Sequence, residues 1–386
     1  NDTAPTDTHF TVNGGGAVNG NGMTYVAYLF ASDAGGFGDD GSESIIKCGS
    51  FNTYAEINLG WEPQWVLYKR ADGSGSWSIV DNMRGWVNSG NDKILFPNTS
   101  DAESNGQRGH PTASGMLPIN GGSDTYIYIA IRRPMKTPES GTEVFAMDTA
   151  DGTPLPQYES GFVTDFEFNR SATSDAYTAI SSRLTGNEYL RANDTDAGAP
   201  DNDIAWDFMD GWGSATWTLA GQYSWMFKRA TGCMDVVAYS GTGSPTTVIH
   251  GLKVIPELII CKARAATWDW AVYTATTGGG YYLRLNRTEG SAASTGNFPS
   301  APTSSVFSVG TASNTNASGG AYVAYLFASL DGVSKVGSYT GTAADLNVDC
   351  GFSSGARFIL IKRTDSTGDW YYWDYERGIV AGNDPY

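Results

Sequence analysis

Tyr25-Val26-Ala27-Tyr28-Leu29-Phe30-Ala31-Ser32 recurs without change as Tyr322-Val323-Ala324-Tyr325-Leu326-Phe327-Ala328-Ser329. The run is short, apolar and aromatic, which suits a central strand covered on both faces. The copies lie 297 residues apart, three periods of 99, and related strands fall between them at 126–133 and 223–229. A second anchor passes through Lys69, Asn169, Lys262 and Lys362, at spacings of 100, 93 and 100. A third passes through Trp77, Tyr177, Trp270 and Trp370 with the same three spacings. Four copies therefore share a period of about 99, the signature of a repeat architecture.

Two copies carry a longer signature. Trp77-x3-Asp81-x2-Arg84-Gly85 returns as Trp370-x3-Asp374-x2-Arg377-Gly378, and the copies between have lost the Asp and Arg. Asn19, Asn120 and Asn316 line up ahead of the apolar strand, each followed closely by Gly. The chain parses into the closing part of a repeat at 1–36, repeats at 37–136, 137–230 (divergent) and 231–331, and the opening part of another at 332–386. Within one repeat, strands are expected at 45–51, 64–70, 76–81, 94–96 and 126–131, with Asp72-Gly73 supplying the positive φ of a hairpin. This predicts an all-β protein of tandem β-sandwich or jelly-roll-like modules with little helix; two repeats sharing one larger sandwich is the alternative.

Composition agrees. The 48 glycines, 12 tryptophans and 21 tyrosines, with only 17% charged residues, fit short aromatic strands joined by Gly-rich turns. A net charge of -17, with 24 bases that form no run, argues against nucleic acid and anionic membranes as partners. Apolar stretches of about seven residues fall far short of the ~20 of a transmembrane helix, so no membrane insertion is expected. The opening Asn1-Asp2-Thr3, without Met or an apolar leader, reads as a processed chain or a segment of something longer.

Candidate chemistry is thin. Cys48, Cys233, Cys261 and Cys350 do not repeat in register, so they read as small strand hydrophobes rather than a disulfide framework or metal set. His9, His110 and His250 have no repeated partner or activated-nucleophile turn beside them. The acidic loops 33–43 and 194–210 suggest calcium, but lack EF-hand spacing and read as turns. The Asn-x-Ser/Thr triplets at Asn98, Asn169, Asn193, Asn286 and Asn316 are expected by chance in so Ser- and Thr-rich a chain. The signature residues Trp77, Asp81, Arg84, Gly85, Trp270, Trp370, Asp374, Arg377 and Gly378 could hold a sugar; the preferred reading is an internal brace. No catalytic, cofactor or metal residue is assigned.

Several of these stretches resemble a known group. Tyr339-Thr340-Gly341-Thr342, Phe358-Ile359-Leu360-Ile361-Lys362-Arg363, Asp369-Trp370 with Asp374 and Arg377-Gly378, and Asn316-Ala317-Ser318-Gly319 before Ala321-Tyr322-Val323 are the first. With the Phe10-Thr11-Val12 and Phe307-Ser308-Val309 strands, they resemble modules repeated in tail-fibre and other virion proteins of bacteriophages, particularly marine ones. The resemblance implies a non-enzymatic, extracellular virion protein, a tail fibre or appendage. Its implied partners are other virion proteins, copies of itself and a host cell-surface glycan. A secreted bacterial adhesin or filament is the alternative, and a carbohydrate-active enzyme with lectin-like modules the third. The end pieces read as complementary halves of one module: 382–386 aligns just before a polar loop in which residue 1 also falls.

Overall fold

The structure, a computed structural model, describes residues 3–38, 40–88, 90–118, 122–133, 135–150, 155–172, 177–215, 217 and 221–378. Asn120 and residues 382–386 of the repeat alignment lie outside these. The fold is all-β, and each of three units is built on an antiparallel main sheet. In spatial order the first sheet runs Ile46–Phe51, Tyr126–Arg132, Pro63–Arg70, Ser78–Asp81. The second begins Phe145–Thr149, Gln222–Phe227, Phe166–Ser171, Ala179–Ser182 and adds Glu188–Arg191 and Ala199–Pro200. The third begins Met234–Ser240, Ala321–Phe327, Leu258–Ala263, Ala271–Thr274 and adds Tyr281–Arg284 and Ala292–Ala293. In all three the last long strand of the unit lies between the first and the next, bonded along both edges. A hairpin of Phe358–Lys362 with Trp370–Asp374 follows.

A smaller sheet closes each unit into a sandwich. In the first unit Ile57–Asn58, Gly115–Leu117 and His110–Thr112 cover a core of Phe51, Val66, Tyr68, Trp86 and Tyr128. In the second, Tyr158–Glu159, Gly211–Ser214 and Ile204–Ala205 cover Phe162, Trp206, Trp212 and Met226. In the third, Thr246–Ile249 paired with Val306–Val309 covers Tyr239, Ile259, Tyr273, Phe307 and Leu326. Alternation divides the Ala321–Phe327 strand between two cores. Tyr322, Ala324 and Leu326 face the small sheet, whereas Val323 and Tyr325 face the second unit's main sheet through Phe166, Ile180, Leu184 and Leu190. The second and third units thus share a core back to back, with the Phe166 and Tyr325 ring centroids 4.3 Å apart.

Three local expectations need correction. Residues 25–31 form no strand and stand exposed, although their duplicate is the central strand of the third unit. The reason is partnership: among the described residues no strand pairs with the first copy, whereas the duplicate is bonded along both edges. The Asp72-Gly73 turn is a longer loop in which Gly75, at φ 150°, takes the positive φ, and Asp72 instead holds Arg70 and the Thr125 N–H. Strand Tyr126–Arg132 is central in its pairing, but only Tyr128 and Ala130 are buried; on its second face Ile127 is exposed and Ile129 and Ile131 are half-buried.

Asp92 is fully buried in the first unit, where its carboxylate accepts the Arg108 backbone N–H at 2.6 Å. Burial raises its pKa from 3.8 to about 7, against the pull of that bond. The unfolded chain releases the proton near pH 4 and the folded one holds it to about 7, so the folded state binds more protons between those values. Stability of the first unit is expected to fall as pH rises through that window, and Asp92→Asn to flatten the slope, as thermal melts across pH will measure. Phe166→Ala is expected to cost about 3–5 kcal/mol. Because Phe166 serves the shared core, calorimetry should find the second and third units melting together at lower temperature.

Candidate functional site

Several of the recurring side chains lie at the joints between units, whereas Lys69, Asp81 and Arg84 bond within the first unit. Lys262 lies opposite Val323 on the central strand, and Lys69 lies opposite Ile127 at the corresponding position. Each ammonium turns back over the hairpin that follows it. Lys69 Nζ donates to the Arg70 and Gly73 carbonyls, and Lys262 Nζ to those of Ala263 and Ala266. Lys262 also reaches the Thr195 carbonyl of the second unit at 3.1 Å, and Lys362 reaches Thr288 of the third at 2.9 Å as well as Gly368. Burial lowers the Lys262 pKa to about 8, a cost that its three carbonyl acceptors oppose.

Two of the tryptophans also reach a neighbouring unit. Trp270 is fully buried and its indole N–H donates to the Arg191 carbonyl of the second unit at 2.9 Å. Trp370 donates to the Arg284 carbonyl of the third unit at 2.8 Å. Arg191 and Arg284 lie 93 residues apart, as do Tyr177 and Trp270, so one joint recurs between successive pairs. Trp77 is half-buried, and its backbone N–H is held by the Asn98 side chain, as that of Trp270 is by Asn286. These two asparagines from the Asn-x-Ser/Thr triplets are thus engaged in the fold, and Asn169 and Asn316 are buried.

Asp81 accepts both the backbone N–H and the guanidinium of Arg84, with Gly85 at φ 105° completing the turn. Asp374 holds Arg377 in the same way, with Gly378 at φ 144°. The second pair also reaches across a joint: Asp374 accepts the Trp225 indole N–H of the second unit at 3.2 Å, and Arg377 lies 4.9 Å over that ring. The divergent second unit replaces this chemistry. Asn169 bonds to the buried Glu167, which Ser224 and, through it, the Trp212 indole also join. Burial holds the Glu167 carboxyl well above its usual range.

One cluster had no signal in the repeat alignment. Arg229 donates to Glu62 of the first unit at 2.8 Å and to Asp235 of the third at 2.7 Å, while its backbone N–H bonds to Asp165 of the second. Arg133 pairs with the same Asp165. Burial alone would lower the Arg229 pKa, but the Glu62 and Asp235 carboxylates outweigh it and raise it. Arg264 adds a second tie, to Glu188 of the second unit and Asn88 of the first. Only the recurrence of arginine after the related strands, at Arg133 and Arg229, could have hinted at this junction.

The other candidates are dispersed. All four cysteines are free thiols; Cys233 and Cys261 are buried, and Cys48 and Cys350 half-buried. His9 is exposed, whereas burial lowers the pKa of His110 and His250. Four acids of the two loops pair with bases, Asp33 with Lys47, Glu43 with Arg132 and Lys253, and Asp194 and Asp196 with Arg191. Among the described residues no three His, Cys, Asp or Glu converge on a metal-sized site, and no helix is long and apolar enough to cross a membrane.

Fold and joints together define a β-sandwich repeat protein in which the later copies of the recurring residues bind neighbouring units. The chain belongs to the family described as Domain of unknown function (DUF7483), whose profile matches residues 1–133 and 165–384. The interval lies at the start of the divergent unit. No curated protein matches the chain.

Trp270→Phe keeps most of the buried ring and removes one indole donor, and is expected to cost about 1–2 kcal/mol. Trp270→Ala is expected to cost about 3–5 kcal/mol. Denaturant unfolding of the two variants beside the parent checks both values.

Proposed function

We propose that this protein is a non-enzymatic structural component of a bacteriophage virion, a tail fibre or similar appendage that reaches the host surface. Its partners are other virion proteins and further copies of itself, with a host cell-surface glycan as the target. The observation that carries this reading is the use made of the recurring side chains. Lys262, Lys362, Trp270, Trp370 and Asp374 all bond to an adjacent unit, at distances from 2.8 to 3.2 Å. Side chains committed in this way resist separation of the units, which is the demand placed on an appendage under shear. The resemblance of the repeat signatures to virion modules supplies the biological setting. The exposed rings of Trp268 and Tyr281 offer apolar faces with polar edges of the kind that stack on sugars.

Density-banded particles, probed with an antibody to this chain and gold-labelled for electron microscopy, test the reading. Label on the tail or an appendage, together with slower adsorption when the antibody is bound, is the expected result. Particles free of the chain, with the protein instead on the surface of the bacterium that encodes it, would favour an adhesin.

A further inference from the structure

The interior of the second unit differs in kind from those of its neighbours. Strand pairing sets Glu167 opposite Met226, Asn169 opposite Ser224 and Ser171 opposite Gln222. The same sites in the third unit hold Ile259 with Leu326, Cys261 with Ala324 and Ala263 with Tyr322, all in the core beneath its small sheet. Pairing thus puts Asn169 at the position of Cys261, one residue from its place in the sequence alignment. In the first unit Val66, Tyr68, Tyr128 and Ala130 fill the equivalent face. One sandwich of the three has therefore exchanged an apolar row for carboxyl, amide and hydroxyl groups.

Burying such groups costs free energy unless they are hydrogen-bonded, and at the centre of the row they are. Asn169 Nδ2 donates to the Glu167 carboxyl at 3.1 Å. Ser224 Oγ donates to the same carboxyl at 3.4 Å and accepts the Trp212 indole N–H at 2.9 Å. Pairing carries this face across the sheet: Glu167 lies opposite Ser181, which lies opposite Tyr189, and Asn169 opposite Ala179, which lies opposite Arg191. Where the row reaches the surface, at the half-buried Gln222 and Arg191, it is unfinished. Gln222 Oε1 and Arg191 Nε are shielded from solvent and have no hydrogen-bond partner among the described residues.

Aromatic rings line the same end. Trp217 stands at 81° to the buried Trp212 and at 84° to Tyr189, and Tyr177 lies nearly parallel to Tyr189 at a centroid distance of 5.8 Å. The series runs from the core out to Tyr177, which is 36% exposed. Arg191 lies 4.3 Å over the Tyr177 ring, and Asp194 and Asp196 hold its guanidinium at 3.6 and 3.2 Å.

We infer that this end of the second sandwich is a carbohydrate-binding site, with Tyr177 as the platform, Trp217 as the wall, and Gln222 and Arg191 as the groups that engage hydroxyls. A pyranose presents C–H groups on its face and hydroxyls around its edge, so it calls for an aromatic plane beside fixed polar groups. Gln222 Oε1 accepts a hydroxyl proton, and the Arg191 Nε–H donates to a hydroxyl oxygen. The sugar is a neutral one. Arg191 is already matched by two carboxylates and the chain carries a net charge of -17, so no spare positive charge offsets the carboxylate of an acidic sugar. A unit that departs from the repeat suits recognition, since the scaffold around it is preserved by its neighbours. The choice of a sugar rests on the glycan target proposed for the protein; the place and charge of the site rest on the geometry alone.

The test applies the full chain to a glycan array. The array carries neutral oligosaccharides of glucose, galactose, mannose and N-acetylhexosamines beside uronic-acid and sialic-acid glycans. Binding to neutral members is expected. Tyr177→Ala should weaken it by on the order of tenfold, as truncation of a central aromatic contact does, and Tyr177→Phe should retain it. Gln222→Ala should weaken it as well, and Tyr54→Ala, at an exposed tyrosine of the first unit, should not. Thermal melts separate loss of the site from loss of the fold; if Tyr177→Ala melts earlier than the parent, Gln222→Ala alone decides. Binding that survives both substitutions but falls with Trp268→Ala would overturn this site while sparing the glycan reading. A preference for acidic glycans, or binding to none, would sink the inference, whereas the gold label on particles decides the virion reading separately.

Discussion

A strand that is apolar on both faces has to be flanked on both edges as well, and that requirement organises this protein. Water cannot serve the backbone of a strand whose side chains are buried above and below, so each N–H and C=O needs a neighbouring strand. In the third unit Ala321–Phe327 meets the demand through Met234–Ser240 and Leu258–Ala263. The other two main sheets place their last long strand in the same position. Because that strand comes from the end of its unit and its neighbours from the beginning, a unit closes only when both parts are present. Among the described residues, segment 25–31 is exposed and Phe358–Lys362 pairs with Trp370–Asp374 alone.

The second organising feature is that the units are not beads. The reverse faces of the second and third main sheets share one core through Phe166, Leu190, Val323 and Tyr325, and the Lys and Trp of one unit bond to carbonyls of its predecessor. Backbone carbonyls make these joints tolerant of sequence change, since the acceptor persists whatever side chain it carries. The Arg229 cluster behaves differently. It joins Glu62, Asp165 and Asp235 from three units, and its partners must be acidic. A buried cation of this kind contributes little net stability while its partners are present, and much is lost when one is removed. It fixes how the units sit rather than how tightly they hold.

Short apolar runs and Gly-rich turns in the sequence determined that the protein is all-β and where most of its longer strands lie. Those properties are local: alternation, apolar run length and Gly-rich turns follow from backbone geometry alone. Asp81 with Arg84 and Asp374 with Arg377 were legible for the same reason, because three residues and a Gly span one turn. Only the tertiary structure decided that Trp270 and Trp370 reach into the preceding unit, that Arg229 gathers three acids, and that two identical octapeptides have different fates. Tyr25–Ser32 and Tyr322–Ser329 have one sequence, yet one is exposed and the other buried between two strands. A strand acquires its hydrogen bonds from residues far away in the chain, and no local pattern records whether they are in place.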